Sequence, residues 1–267
     1  MKKQSMTLKE IQDESFNLLK VLKNICEEQN ITYWLSFGTL LGAIRNNDFI
    51  PWDDDVDIFM PRKDFEAFVS YCKNNESSLH PFRLFHYKTC NNYIYPIGRF
   101  SNTEFVFKSF VKDYGLGIFI DIYPIDGYNN NDKEQIKRIW KQKKIIGRLI
   151  ADKCPPGFSK IKFYFLLLLQ LFYGKGTLQR RIENIDIISQ KYSFDSSEYV
   201  SALNWEPAYF YPKKYFASVK PHLFHGEYFN VPIGFDEFLS DRYGNYMELP
   251  PESKRVPHHD YEMHRKF

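Results

Sequence analysis

SFGTLLGAIRNNDFIPWDDDVDIFM, Ser36 to Met60, is the stretch from which the fold can be read. Gly38-Thr39 makes a small-residue turn after the apolar run Tyr33-Trp34-Leu35-Ser36-Phe37, and a short helical segment with Arg45 follows. Then come Asp53, Asp54, Asp55 and Asp57, with Val56, Ile58, Phe59 and Met60 reading as a strand that enters a core. Alternate residues on a strand share a face and lie roughly 6–7 Å apart. Two carboxylates at about 6 Å repel by roughly 0.7 kcal/mol in water, and by about 3 kcal/mol at an effective dielectric of about 20. In a cleft with further acids alongside, that repulsion favours a proton or a metal. Magnesium suits such a place, since it takes oxygen ligands and is held by one or two carboxylates plus substrate phosphates.

A second acidic anomaly lies further on. Gly117-Ile118-Phe119-Ile120-Asp121-Ile122-Tyr123-Pro124 reads as a buried strand with a single acid inside it. Together the two describe a strand, a Gly-Thr turn with a short helix, a strand bearing Asp-x-Asp, and a later strand bearing one more Asp. Backbone N–H groups at Gly38 and Thr39 are placed to cradle a phosphate. Asp55 and Asp57 share a strand face, and Asp121 on a neighbouring strand completes a metal triad. A pair of magnesium ions, or manganese in their place, about 3.5–4 Å apart would clamp the attacking and leaving oxygens of an in-line displacement. This arrangement resembles the pattern of the nucleotidyltransferase fold. The expected class is α/β (α+β), a nucleotidyltransferase-like core with a small mixed sheet flanked by helices, plus a helical C-terminal extension.

Outward from this core, Thr7-Leu8-Lys9-Glu10 is a capping-box pattern, and apolar spacing predicts a helix over Leu8–Glu28. Thr32–Phe37 and Asp55–Met60 are predicted strands, and Pro61 is predicted as the first residue of a helix ending near Asn74. Phe82–Tyr87, Tyr93–Ile97 and Phe105–Phe107 are shorter strand candidates. Asp132–Asp152 reads as a charged helix, Ile161–Tyr173 as a dense apolar run, Leu178–Tyr192 as another helix and Phe235–Tyr243 as a last one. The expected division is 1–130 as the catalytic core and 131–193 as a helical insertion. Residues 194–267 are then a C-terminal segment that packs back on the core and completes the substrate site.

Composition narrows the partners. A hydrophobic content of 43% supports a real core, and a formal net charge of +3 with dispersed Lys and Arg argues against nucleic acid. Cys26, Cys72, Cys90 and Cys154 are too scattered for a metal-ligand pair or a disulfide framework. With no export signal visible, reduced thiols and a cytoplasmic location are expected. No segment reaches the ~18 apolar residues of a membrane span. An EF-hand fails because Ile58 stands where the loop needs Gly and Asp64 where it needs Glu. An aspartyl-phosphate phosphatase would not need the upstream Gly-Thr turn, whereas a metal-dependent glycosyltransferase stays open as a rival.

Finer wording carries a resemblance. Gly38-Thr39-Leu40-Leu41-Gly42-Ala43-Ile44-Arg45, followed by Phe49-Ile50-Pro51-Trp52-Asp53-Asp54-Asp55-Val56-Asp57-Ile58, closely resembles the LicD family of phosphocholine transferases, relatives of fukutin and fukutin-related protein. Phe119 to Gly127 resembles that family's second acidic motif. Tyr243-Gly244-Asn245-Tyr246-Met247-Glu248-Leu249-Pro250-Pro251, with Arg255 and His258, resembles its C-terminal signature. Asn46 departs from the His that many members carry after the Arg.

The resemblance implies transfer of phosphocholine from CDP-choline to a sugar hydroxyl of a cell-surface glycan, with release of CMP. The acceptor would be a teichoic acid, a lipooligosaccharide or a capsule precursor. Another CDP-linked donor, CDP-ribitol or CDP-glycerol, is the alternative.

Asp55, Asp57 and Asp121 are the expected metal ligands. Asp53 is open between a further ligand, the acceptor of the substrate proton and a solvated carboxylate, while strand alternation turns Asp54 away. Asp126, beyond Pro124, reads as a turn residue. Arg45 either forks onto the diphosphate or is an ordinary surface cation, and Arg99 and Lys254-Arg255 are further phosphate candidates. Trp52 stacks on the cytosine or packs beneath its loop, and His258 reaches the site only if the tail folds back. Aromatic cages hold quaternary ammonium groups, but with 19 Tyr and 25 Phe the composition singles out no cage. The run 161–173, flanked by Lys160, Lys175, Arg180 and Arg181, is either a buried helix or an interfacial one. The interfacial reading touches the inner membrane leaflet, where a lipid-linked glycan acceptor would lie.

Overall fold

The computed structural model describes residues 5–91, 93–108, 114–149, 159–256 and 262–266. Thr7 caps the first helix, α1 (Leu8–Glu28), through the reciprocal box with Glu10 that the sequence announces. Its periodic Leu18, Leu19, Leu22 and Ile25 are buried. Asn30, in the left-handed region at φ 54°, turns the chain into β1 (Trp34–Leu35). This strand is shorter than the aromatic run suggests, because Ser36 already stands at the N-cap of α2 (Phe37–Asn46). Gly38 and Thr39 therefore form the first turn of a helix rather than a turn before it.

The chain returns along β2 (Asp57–Pro61) and leaves it directly into α3 (Arg62–Asn74), with Pro61 as the cap residue. Next come β3 (Phe82–Phe85), β4 (Gly98–Asn102), β5 (Phe105–Lys108) and the long β6 (Ile118–Tyr128). Tyr93–Ile97 is not a strand. Tyr93, Ile94, Pro96 and Ile97 are all buried, without the alternation a half-covered strand needs, and Pro96 interrupts the run.

The main sheet runs β1-β2-β6-β4-β3. Within it β2 and β6 are parallel and the other pairs antiparallel. That parallel pair lies mid-sheet, with α1 and α3 packed on it, which is why Ile58–Met60 and Ile120–Ile125 read as near-continuous apolar runs.

After β6, α4 (Lys133–Leu149) and α5 (Lys160–Ser189) pack against each other. The two helices expected over Ile161–Tyr173 and Leu178–Tyr192 are one, because Gly174 and Gly176 are carried inside it rather than breaking it. Further on, β7 (Tyr199–Ser201) pairs with the end of β6, β8 (Tyr211–Pro212) pairs with β7, and β9 (Val219–Phe224) and β10 (Glu227–Pro232) form a hairpin. Helix α6 (Phe235–Tyr243) and β11 (Glu262–Arg265), which pairs with β5, complete the described chain. The C-terminal extension is thus mixed rather than purely helical.

Two contacts bolt it to the core. Phe216 and Phe238 lie edge-on to Phe59 of β2, at 6.0 and 5.8 Å between ring centres. The β9–β10 hairpin holds the end of α2, where the His225 N–H donates to the Asn47 carbonyl at 2.9 Å and the His225 ring meets Asp48 at 2.6 Å.

Beneath the sheet, Arg62 makes a buried clasp. Its guanidinium forks onto Asp126 of β6 at 2.7 and 2.6 Å and reaches Asp186 of α5 at 2.7 Å. Asp126 is therefore a strand residue in an ion pair and not a turn residue, since β6 continues through Pro124 to Tyr128.

Candidate active site

The parallel register places Asp57, the first residue of β2, directly beside Asp121 of β6. One ladder bond and one bond to a side chain fix this pair. The Asp121 N–H donates to the Val56 carbonyl at 2.9 Å, and the Asp57 N–H donates to the Thr39 hydroxyl at 2.9 Å. The buried Thr39 hydroxyl thus aligns the strand that carries Asp57, and Thr39 is not among the residues that line the cleft onto which Asp57 opens.

Residues 53–56 precede β2 and do not alternate as a strand would. Asp53, Asp54 and Asp55 each contribute a carboxylate oxygen to one group in which all three atoms lie within 4.8 Å of one another. Asp54 consequently joins the acidic cluster instead of turning away from it. The loop is held from below by Gln12, whose amide donates to the Asp53 carbonyl at 2.8 Å and to the Ile50 carbonyl at 3.3 Å.

The electrostatics follow from this crowding. Asp57 is held well above the ordinary carboxylate range, first by burial and then by the charges of Asp55, Asp121 and Asp53. The Tyr123 hydroxyl relieves part of this by donating to Asp57 at 3.0 Å, and it also reaches Asp121 at 3.5 Å. Sequence reading passed over Tyr123, although it stands two residues after Asp121 and so on the same strand face. Arg99 does not open onto the cleft as a phosphate fork. It donates to Asp121 at 2.7 Å and lies between the Tyr95 and Phe119 rings at 4.4 and 4.5 Å. Asp55, Asp57 and Asp121, expected to hold a metal, and Asp53 and Asp54 beside them all offer carboxylate oxygens, and such oxygens would suit a hard divalent cation such as magnesium or manganese.

Asp53, Asp55 and Asp57 open into a cleft of about 660 Å³ between α2, the acidic loop and the segment after α6, while Asp54 and Asp121 stand behind its lining. Gly38, Arg45, Trp52, Asp53, Asp55 and Asp57 line it from one side, and Tyr243, Tyr246, Glu248 and Lys254 from the other. Gly38 leaves room for the Asp53 carboxylate where it stands. A Cβ on Gly38 would stand 2.5 Å from that carboxylate. Arg45 donates to the Tyr246 carbonyl at 3.2 Å, and its pKa is lowered by burial and then by the charge of Arg255. Arg255 in turn donates to the Pro250 carbonyl at 2.8 Å and lies 5.9 Å from the centre of the Trp52 ring. The Arg255 charge bears on a half-buried Arg45 guanidinium, and an anion between them would relieve it. Burial pushes the Tyr243 hydroxyl up to about 12, with the nearby Asp57 charge adding to the rise. Tyr243, Tyr246 and Glu248 were legible only as letters of a C-terminal signature. His258 lies outside the described residues. A larger cavity, about 800 Å³, sits at the other end of β2 around Pro61 and Arg62, away from the acids.

A mixed sheet that presents paired carboxylates from parallel strands beside a cationic, aromatic cleft defines a nucleotidyltransferase-type enzyme core. The family model described as LicD/FKTN/FKRP, nucleotidyltransferase domain, matches residues 30–163, and the chain belongs to that family. It is 30% identical to the lipopolysaccharide cholinephosphotransferase LicD of Haemophilus influenzae, over 96% of this chain and 97% of that one. An uncharacterized protein of Rickettsia typhi is 33% identical over 46% of this chain and 38% of its own length. The human ribitol 5-phosphate transferase FKRP is 53% identical over 34 residues, which are 13% of this chain and 7% of FKRP.

Proposed function

We propose that this protein transfers phosphocholine from CDP-choline to a sugar hydroxyl of a cell-surface glycan, releasing CMP. The observation that carries this reading is the cleft itself, where carboxylates able to hold a metal, cations for a diphosphate and aromatic faces for a quaternary ammonium converge. Full-length similarity to a lipopolysaccharide cholinephosphotransferase supports it. A lipopolysaccharide-type glycan is the first acceptor to test, with teichoic acid and capsule precursors after it.

In the reaction the acceptor oxygen attacks the phosphorus that bears choline. The bond from that phosphorus to the bridging oxygen breaks, CMP leaves with that oxygen, and the acceptor proton passes to a carboxylate. Magnesium held by Asp55, Asp57 and Asp121 would supply charge neutralisation at the transferring phosphoryl group. Tyr123 and Arg99 keep Asp57 and Asp121 in place. Asp53, outside that triad and against the N-terminus of α2, is the carboxylate assigned to the proton. Arg45, Arg255 and Lys254 neutralise the diphosphate, a guanidinium fork matching phosphate oxygens. Trp52, Tyr243 and Tyr246, with the Glu248 carboxylate, form the wall against which a trimethylammonium group is held.

Asp57→Asn is expected to lower magnesium-dependent CMP release at least a thousandfold, about 4 kcal/mol in barrier, with the melting temperature unchanged or raised. Near-normal turnover of CDP-choline by this variant would refute the metal assignment. The 34-residue match to a ribitol 5-phosphate transferase favours one second reading, a CDP-ribitol donor. Competing CDP-choline against CDP-ribitol, CDP-glycerol and nucleotide sugars in the same CMP-release assay separates these donors from each other and from a glycosyltransferase.

A further inference from the structure

Helix α5 has two unlike halves. In its C-terminal half Ile182, Ile185 and Ile188 are buried against Ile139 and Ile146 of α4 and against Leu203 and Tyr128. Its N-terminal half instead exposes Ile161 (83%), Tyr164 (66%), Phe165 (59%) and Leu168 (50%). These positions are i, i+3, i+4 and i+7, one face of a helix. Such a stripe of large apolar side chains is costly in water and calls for a cover.

The charge around it is segregated. Residues 137–181 hold twelve Lys and Arg against Asp152 alone, a net charge of +11. The whole chain carries +3, which leaves −8 on the remainder. Lys137, Trp140, Lys141 and Lys144 share an exposed face of α4. Lys143 is set apart from them, because its ammonium donates to the Asn204 and Trp205 carbonyls and anchors α4 to the core. Among the described residues no helix is long and apolar enough to cross a membrane.

We infer that the α4–α5 hairpin is a docking surface for an anionic lipid bilayer. The Ile161–Leu168 face enters the headgroup boundary, and the α4 lysines pair with lipid phosphates. An apolar stripe with basic residues around it is the composition of an interfacial helix. A second copy of the chain fits less well, since it would set two strongly positive hairpins against each other, whereas interface cores are depleted of charge. The acidic remainder is repelled by the same surface, so the charge segregation also orients the molecule. The docking itself needs no catalytic assignment. Only its use, holding the enzyme where a lipid-linked glycan acceptor lies, rests on the transferase reading.

The test is co-sedimentation of the full chain with vesicles of equal parts phosphatidylglycerol and phosphatidylcholine, against vesicles of phosphatidylcholine alone. Binding is expected to the anionic vesicles and to weaken as salt is raised from about 0.1 M to about 0.5 M. Each basic residue near an anionic surface raises partitioning roughly fivefold. Lys137→Glu with Lys141→Glu and Lys144→Glu should therefore lower it about a hundredfold or more. Phe165→Glu with Leu168→Glu should abolish binding. Both variants alter exposed side chains away from the cleft, so their melting temperatures and CMP release with a soluble acceptor should match the parent. The proposal is overturned if the parent chain stays in the supernatant with anionic vesicles, or if both variants bind as it does. It is also overturned if sedimentation velocity without lipid shows a dimer that Phe165→Glu with Leu168→Glu dissolves. A parent chain that binds the anionic vesicles but releases no CMP from CDP-choline would refute the transferase reading and leave this one standing.

Discussion

Gly38→Ala tests the site with the smallest perturbation available, one methyl group. The added Cβ would lie 2.5 Å from Asp53 Oδ2 and 3.5 Å from Asp53 Cγ, whereas real Cβ contacts essentially never fall under 3.0 Å. The carboxylate must retreat by about 0.9 Å or more to reach ordinary contact, which begins at 3.4 Å. Gly38 does not occupy the left-handed region and sits in the first turn of α2, so the backbone accepts alanine without strain. Alanine favours a helix over glycine by up to about 1 kcal/mol, which offsets the displaced side chain. Stability should hold while chemistry suffers. A misplacement of about 1 Å in a reacting constellation costs about a hundredfold, so kcat/KM for CDP-choline should fall ten- to a hundredfold, about 1.4–2.7 kcal/mol. The assay is CMP release under steady-state conditions, paired with thermal unfolding of the same preparation. Turnover within threefold of the parent, with the fold intact, would show that the position of Asp53 does not matter to the reaction. A large loss of stability would instead show that the methyl group is felt by the backbone.

Two further perturbations probe the fold that holds the site. Arg62→Ala strands Asp126 and Asp186, whose side chains are each 1% exposed, and should lower unfolding free energy by about 3–5 kcal/mol in urea titrations. A loss under about 1 kcal/mol would show that those acids are compensated from elsewhere. His86 is fully buried, neither ring nitrogen has a hydrogen-bond partner among the described residues, and burial pushes its pKa down to about 3. The native ring stays neutral while the unfolded one protonates near about 6.5, so its stability is complete above that value and is lost as pH falls towards 3. Stability at pH 5 should be about 2 kcal/mol below that at pH 7 from this group, and His86→Leu should remove that part of the slope. An unchanged slope in the variant would rule His86 out as its source.

How much of this was legible depended on how local the cause is. Helix α1 falls where spacing and capping place it, because its start is decided by side chains three residues apart. The acids of the site were legible for a similar reason: carboxylates in a strand that enters a core conflict with burial, and the conflict is written in neighbouring letters. Errors arose where a partner lies far along the chain. Arg99 looked like a free fork until β4 set it beside Asp121. Asp126 looked like a turn residue until Arg62 reached it from α3. Asp54 looked turned away because alternation was assumed to begin before β2 does. Tyr93–Ile97 looked like a strand because its composition suits one, although no ladder forms there.

The sequence by itself determined the acidic chemistry, the α+β class and the family, since each rests on residue types in short, specific spacings. Tertiary structure alone decided which groups meet. Parallel pairing of β2 with β6 sets Asp57 beside Asp121 and brings in Tyr123. Packing of Phe216 and Phe238 on Phe59 carries Tyr243, Tyr246 and Lys254 to the far wall of the cleft. The physical reason is range. Propensity and repulsion act within a few residues of the chain, whereas strand register and ring packing join residues whose separation in sequence carries no trace of their contact.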